Sequence, residues 1–186
     1  LRGEPEAIAE AEAQVRALVP GDCLPPGASS IAEAILLEAR SAGKTVACAE
    51  SCTGGLVGGA VTEVPGSSAV FLGSAVCYSD EAKRRVLSVD EGILRDRGAV
   101  SEECARAMAE GARELFGADV AVSVTGIAGP DGGSDKKPVG TVWFAVAHSD
   151  GSRPVLRRFT GDRWAIRNRA TTAALELLWR SLSESR

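Results

Sequence analysis

Histidine, methionine and tyrosine each occur once in the 186 residues (His148, Met108, Tyr78), and aromatic residues make up only 4%. Any histidine-based catalytic triad or zinc site therefore has a single histidine to draw on. No apolar run approaches the ~20 residues that a bilayer-crossing helix needs. Basic residues are not in excess: 21 Lys+Arg stand against 25 Asp+Glu, a formal charge of -4. General attraction to a phosphate backbone is thereby excluded, although local basic pockets are not. The five cysteines (Cys23, Cys48, Cys52, Cys77, Cys104) are odd in number and form no Cys-x-x-Cys pair, which argues against a disulfide framework and gives zinc little support. No exported leader is expected. The opening LRGEPEAIAE carries charge where a continuous apolar stretch would be required, so a cytoplasmic location is expected. The chain begins on Leu1, and its true start can lie upstream.

What is abundant is glycine, 21 residues, within a composition that is 45% hydrophobic and 25% charged. That balance suits one globular domain of roughly 100–200 residues with many tight turns. Residues 5–18 read as an Ala- and Glu-rich helix before the Pro20-Gly21 break, and residues 1–28 as a helical extension and linker preceding a domain at 29–186. Ser29 or Ser30 caps a helix to about Arg40, and Gly43 ends it. Strands are expected at 45–49, 70–79, 119–125 and 139–148. Helices are expected at 54–64, after Ser79, from Ser101 to Gly117, and over 162–182. Asp150-Gly151 signals a hairpin into PVLRRF, with Pro154 on an edge strand. Alternating strands and helices with one hairpin predict an α/β/α layered single domain with a mixed, mostly parallel sheet.

Several familiar motifs fail on context. Gly43-Lys44-Thr45 resembles the end of a phosphate-binding loop, but Glu38 stands where its first glycine belongs, and the segment runs from helix to strand. The glycines at 126, 129, 132 and 133 do not make a dinucleotide fingerprint. The Ser134-x-x-Lys137 string lies in a loop rather than at a helix start. His148 sits at a strand end beside a polar hairpin, so an activated serine in this chain needs another base. Lysine is the natural substitute, because desolvation beside a nucleophile favours a neutral amine, and only four lysines are available.

Ser51 is the best-placed nucleophile: it lies where a buried strand turns into a helix, with the N–H groups of Cys52, Thr53, Gly54 and Gly55 near one spot. Ser51 or Thr53 serving merely as the helix cap is the competing reading. Tyr78 ends the next strand and Lys83 follows one helical turn later, so both can face a shared cleft. Cys52 is an alternative nucleophile, and Glu50 is either a pocket acid or a turn residue. Lys136 and Lys137, in the Gly-rich loop, and Arg163 and Arg167, at the last helix, are candidate anion anchors.

Three long segments resemble one family. TVACAESCTGGLVGGAVTEVPGSSAVFLGSAVCYSDEAKRRVLSV, GAVSEECARAMAEGAR and ADVAVSVTGIAGPDGGSDKKPVGTVWFAVA are similar, in order, to the CinA C-terminal domain family, the nicotinamide-nucleotide amidases, over about residues 30–182. The resemblance implies an amidohydrolase that converts nicotinamide mononucleotide and water into nicotinic acid mononucleotide and ammonia, with no metal or other cofactor. It implies Ser51 as nucleophile, Tyr78 and Lys83 as assisting groups, with Tyr78 a possible relay, and an arginine that is Arg163 or Arg167, Arg163 preferred. Glu50, Cys52, Thr53, Gly54, Gly55, Thr125 and Gly126 complete the expected substrate-binding set, Thr125 and Gly126 as oxyanion donors from a neighbouring strand end. The alternative is a non-catalytic nucleotide-binding or regulatory domain. Full-length CinA proteins carry a preceding molybdopterin-binding-like domain with pyrophosphatase activity; residues 1–28 are too short for it, and that activity is not carried over. Cys77 stands where relatives often have threonine. A homo-oligomer acting on a small molecule, without nucleic acid or membrane, is expected.

Overall fold

The computed structural model describes residues 4–19 and 23–183. The Pro20-Gly21 break falls outside them. In chain order the elements are α1 (Pro5–Leu18), α2 (Ile31–Ala42), β1 (Val46–Glu50), α3 (Leu56–Thr62), β2 (Phe71–Val76), α4 (Asp80–Leu87), α5 (Glu91–Asp96), α6 (Glu102–Phe116), β3 (Val120–Gly126), β4 (Thr141–His148), β5 (Gly151–Arg158) and α7 (Arg163–Ser183). The five strands form one sheet in the order β2-β1-β3-β4-β5. β1 runs parallel to both β2 and β3, whereas β4 and β5 are antiparallel additions ending in the expected hairpin, with Pro154 on the edge strand. The α/β layered domain with a mixed sheet is thus the observed architecture.

Alternation along the strands explains the layers. Val46 and Cys48 of β1, Val120, Val122 and Val124 of β3, and Val142, Phe144 and Val146 of β4 share a core with α2, α3 and α7. Most of the intervening residues are small: Ala47, Ala49 and Ala121 pack against Cys104, Met108 and Ala112 of α6, and Ala145 and Ala147 against Ala105 and Ala109, with Trp143 at the edge of that cluster. Branched side chains thicken one layer while alanines let α6 lie close to the sheet on the other. α6 also lies close to α4, which requires Gly111, where an added Cβ would collide with the Leu87 carbonyl oxygen.

Helix ends follow the side chains that satisfy their free N–H groups. Ser30 caps α2 by accepting from Glu33 N, Ser79 caps α4 through Ala82 N, and Ser101 caps α6 through Cys104 N. Gly43 and Gly117 close α2 and α6 in the left-handed region. α5 was not expected; its six residues are capped by Asp90, whose carboxylate accepts from Gly92 N and Ile93 N. Among the described residues no helix is long and apolar enough to cross a membrane.

From β1 the chain runs to β2 on one side, and from β2 it crosses back through α4, α5 and α6 to β3 on the other, so the direction of winding reverses at β1 and β3. In an open α/β sheet such a divergence opens a crevice at the carboxyl ends of the strands. Ser51, the first residue after β1, occupies that position.

Candidate active site

The backbone fixes Ser51 from both neighbours. Its N–H donates to the Val124 carbonyl at 2.9 Å, continuing the β1–β3 ladder, while Cys77 N donates to Glu50 O at 2.8 Å on the β2 side. Ser51 Oγ then lies 3.1 Å from Nζ of Lys83. Lys83 comes from α4, is only 1% exposed, and also donates to the carbonyls of Cys77 (3.1 Å) and Tyr78 (3.3 Å). Nζ thus has three neutral oxygen acceptors and, among the described residues, no carboxylate partner.

A cleft of about 210 Å³ opens over this pair, lined by Ser51, Cys52, Tyr78, Lys83, Thr125, Gly126 and Arg163. Tyr78 and Lys83 are therefore in the same site as Ser51, as expected, but the phenol is on the rim. Tyr78 is 60% exposed and its hydroxyl accepts from Arg163 Nη2 at 2.9 Å; that hydroxyl makes no hydrogen bond to Ser51 or Lys83. The relay expectation is corrected accordingly: Lys83 reaches the serine directly, and Tyr78 offers it only a backbone carbonyl.

The two arginines divide. Arg163 bridges Gly129 O (2.8 Å) and the Tyr78 hydroxyl and faces the cleft. Arg167 instead donates to the carbonyls of Cys52 (3.0 Å) and Thr53 (2.7 Å), bracing the turn that follows Ser51. Its reading as a substrate contact is replaced by one as a backbone brace. Lys137 is also engaged, donating to Arg97 O at 2.8 Å, while Lys136 is exposed. His148 pairs with Gly151 at the hairpin and lies outside the cleft.

Glu50 is another correction. It is 0% exposed and contributes no cleft surface. Oε2 accepts from Gly55 N (2.9 Å) and Val57 N (3.1 Å), and Oε1 accepts from Gly58 N (2.8 Å) and Ser74 Oγ (2.8 Å). The carboxylate thus caps α3 from within the sheet, which removes the cap role from Ser51 and Thr53. Gly55 N is consumed by this cap, and Gly54 N by Ser51 O at 3.1 Å. Neither N–H is left for an anion. Among the described residues, the N–H groups of the turn that keep no acceptor are those of Cys52 and Thr53. The Thr125 hydroxyl is likewise committed, donating to Ala99 O at 2.7 Å. Gly126 lines the wall, and an added Cβ there would fall 2.7 Å from Val142 Cγ2.

Glu50→Gln tests the cap. Wherever the amide nitrogen points, at least one backbone N–H of the α3 start then faces another donor. A loss of about 2 kcal/mol is expected, read as a fall of roughly 4–8 °C in the midpoint of thermal unfolding. An unchanged midpoint would remove the carboxylate from the scaffold.

The thiols are poorly suited to attack. Burial pushes the Cys52 thiol up to about 11, even though Arg167 and Lys83 pull it down. Burial also raises Cys48, Cys77 and Cys104. At neutral pH Cys52 is protonated, and its thiolate fraction grows about tenfold per pH unit until that value is reached. Iodoacetamide at pH 7.5 should therefore label the folded chain first at half-buried Cys23. Fast labelling of Cys52 with matching loss of activity would instead establish a thiol nucleophile. Among the described residues no three His, Cys, Asp or Glu side chains gather as a metal-ligating group.

Sequence reasoning missed Asp80, Ala99, Val100 and Ala128 as cleft residues. Asp80 carried a signal: it precedes Lys83 by three residues and so shares its helix face. Ala99, Val100 and Ala128 carry no chemistry that could have marked them.

Comparisons with known proteins identify the family. The model of the CinA C-terminal domain matches residues 28–182. A CinA-like protein of Mycobacterium sp. (strain JLS) is 55% identical over 145 residues, covering 77% of this chain and 34% of the relative. One from Geobacter sulfurreducens is 51% identical over 156 residues, covering 84% and 38%. The chain thus spans about a third of the length of the curated relatives it matches. The crystal structure of a competence/damage inducible protein from Agrobacterium tumefaciens superposes with a TM-score of 0.79 at 43% identity, covering 82% of this chain and 93% of that one. A CinA superfamily protein from Klebsiella pneumoniae gives 0.79 at 37% identity, covering 83% and 96%. Sequence and fold agree along nearly the whole described domain, and the chain belongs to the CinA C-terminal domain family.

Proposed function

We propose that residues 29–186 form an amidohydrolase that deamidates nicotinamide mononucleotide to nicotinic acid mononucleotide and ammonia, with Ser51 as nucleophile. The observation that carries this reading is the 3.1 Å contact between Lys83 Nζ and Ser51 Oγ at the floor of the crevice. A lysine amine in its neutral form at that distance is within reach of the serine proton.

In the proposed reaction Nζ takes the Ser51 proton as Oγ attacks the carboxamide carbon. The carbonyl electron pair moves onto oxygen, and the N–H group of Cys52, which lines the cleft, stabilises that charge. The Lys83 ammonium then protonates the departing nitrogen, the C–N bond breaks, and ammonia leaves an acyl-Ser51 ester. Water, deprotonated by Nζ, attacks the ester carbon, and the acid is released as Ser51 regains its proton. Arg163, exposed on the rim, is the proposed phosphate anchor, since a guanidinium matches phosphate in bidentate geometry. Arg167 and Glu50 keep the turn rigid, which preserves the alignment of nucleophile and donors.

Ammonia release from nicotinamide mononucleotide, nicotinamide riboside and nicotinamide is the direct test, with the mononucleotide expected to be preferred. Stoichiometric binding of the mononucleotide without ammonia would establish the non-catalytic alternative instead.

A further inference from the structure

The cleft brings together one acidic and two basic side chains, and the acidic one has no partner. Asp80 lines the same crevice as Ser51 and Lys83 and is exposed there. Among the described residues its carboxylate makes no hydrogen bond and no ion pair. The cations nearest in sequence are taken: Arg84 pairs with Glu81 at 2.9 Å, and Arg85 pairs with Glu81 as well. Lys83 Nζ is turned toward Ser51, Cys77 O and Tyr78 O. Arg163 is held by Gly129 O and the Tyr78 hydroxyl. Nor does α4 depend on Asp80 for its start, because Ser79 caps it and Glu81 already supplies an acid in its first turn.

We propose that Asp80 is a specificity-determining residue that selects amides carried on a permanently cationic ring. The inference rests on the amidase reading above and names the feature of the substrate that Asp80 would recognise. A pyridinium substituted at nitrogen keeps its positive charge at every pH, whereas free nicotinamide is neutral near pH 7. A lone carboxylate in the crevice attracts the first and is indifferent to the second. With Arg163 as the phosphate anchor, the cleft then carries one charge of each sign for a substrate that has one of each. Because Asp80 is exposed, the expected preference is modest, about two- to fivefold, and falls at high salt.

The test measures how strongly 1-methylnicotinamide, a fixed cation, and nicotinamide inhibit ammonia release from nicotinamide mononucleotide. Wild type, Asp80→Asn and Asp80→Glu are compared at 0.1 M and 1 M salt. The wild type should favour the cation about two- to fivefold at low salt, Asp80→Asn should lose that ratio, and Asp80→Glu should regain part of it. A ratio that survives Asp80→Asn, or a loss shared equally by both amides, overturns the assignment. So does a shift in the pH profile of kcat with the ratio intact, which would mean that Asp80 acts through Lys83. If the wild type releases no ammonia at all, the amidase reading is what fails. Equilibrium dialysis of the two amides then decides the role of Asp80, and equal binding overturns it.

Discussion

Ser51→Ala should lower ammonia release from nicotinamide mononucleotide by at least ~10,000-fold, the scale seen when the nucleophile of a serine hydrolase is removed. The substitution deletes one oxygen at an 8% exposed position and leaves its backbone bond to Val124 O in place. Lys83 Nζ keeps its two carbonyl acceptors. The thermal midpoint should therefore move by no more than a few degrees, so lost activity is not lost fold. Mass spectrometry of quenched wild-type reactions should show an adduct of nicotinamide mononucleotide less ammonia, absent from Ser51→Ala. Turnover of the variant near the wild-type rate would end the serine mechanism.

Lys83→Met should cost ~1,000-fold in kcat, within the range for a lost general acid–base group. Methionine fills similar volume, while the carbonyls of Cys77 and Tyr78 lose a donor. The variant should lose no more than a few degrees in thermal midpoint while losing activity. Lys83→Arg separates two roles for the cation. Guanidinium keeps the charge but cannot serve as a base near neutral pH, so it should be as inactive as Lys83→Met. Substantial activity in Lys83→Arg would make Lys83 an electrostatic support, and the proton acceptor would have to be found elsewhere.

Much of the site was legible because its parts lie at strand and helix ends that leave local signatures. Ser51 follows a run of strand length, and Lys83 follows a Ser-Asp-Glu helix start at one turn's distance. α5 escaped notice because six residues with an internal glycine hold too little periodicity. The duties of Glu50, Arg167 and Tyr78 were not legible. Each depends on which way a side chain turns between elements distant in sequence: Glu50 to Ser74, Arg167 to Cys52, Tyr78 to Arg163. Two carboxylates in the AESCTGG and YSDEAK segments illustrate the difference, since Glu50 is sealed inside a helix cap while Asp80 stands open in the cleft.

The linear chain alone determined the strands, the longer helices, the serine starts of α2 and α6 and the family, because periodicity, turn chemistry and ordered motifs are properties of neighbours along the chain. Only the folded arrangement decided that Lys83 reaches Ser51 while Tyr78 does not, that Arg163 lines the cleft while Arg167 braces a turn, and that the Gly54 and Gly55 amides are already taken. Hydrogen bonds fall off steeply with distance and direction, so a group's availability for chemistry is set by which acceptors packing brings within about 3 Å.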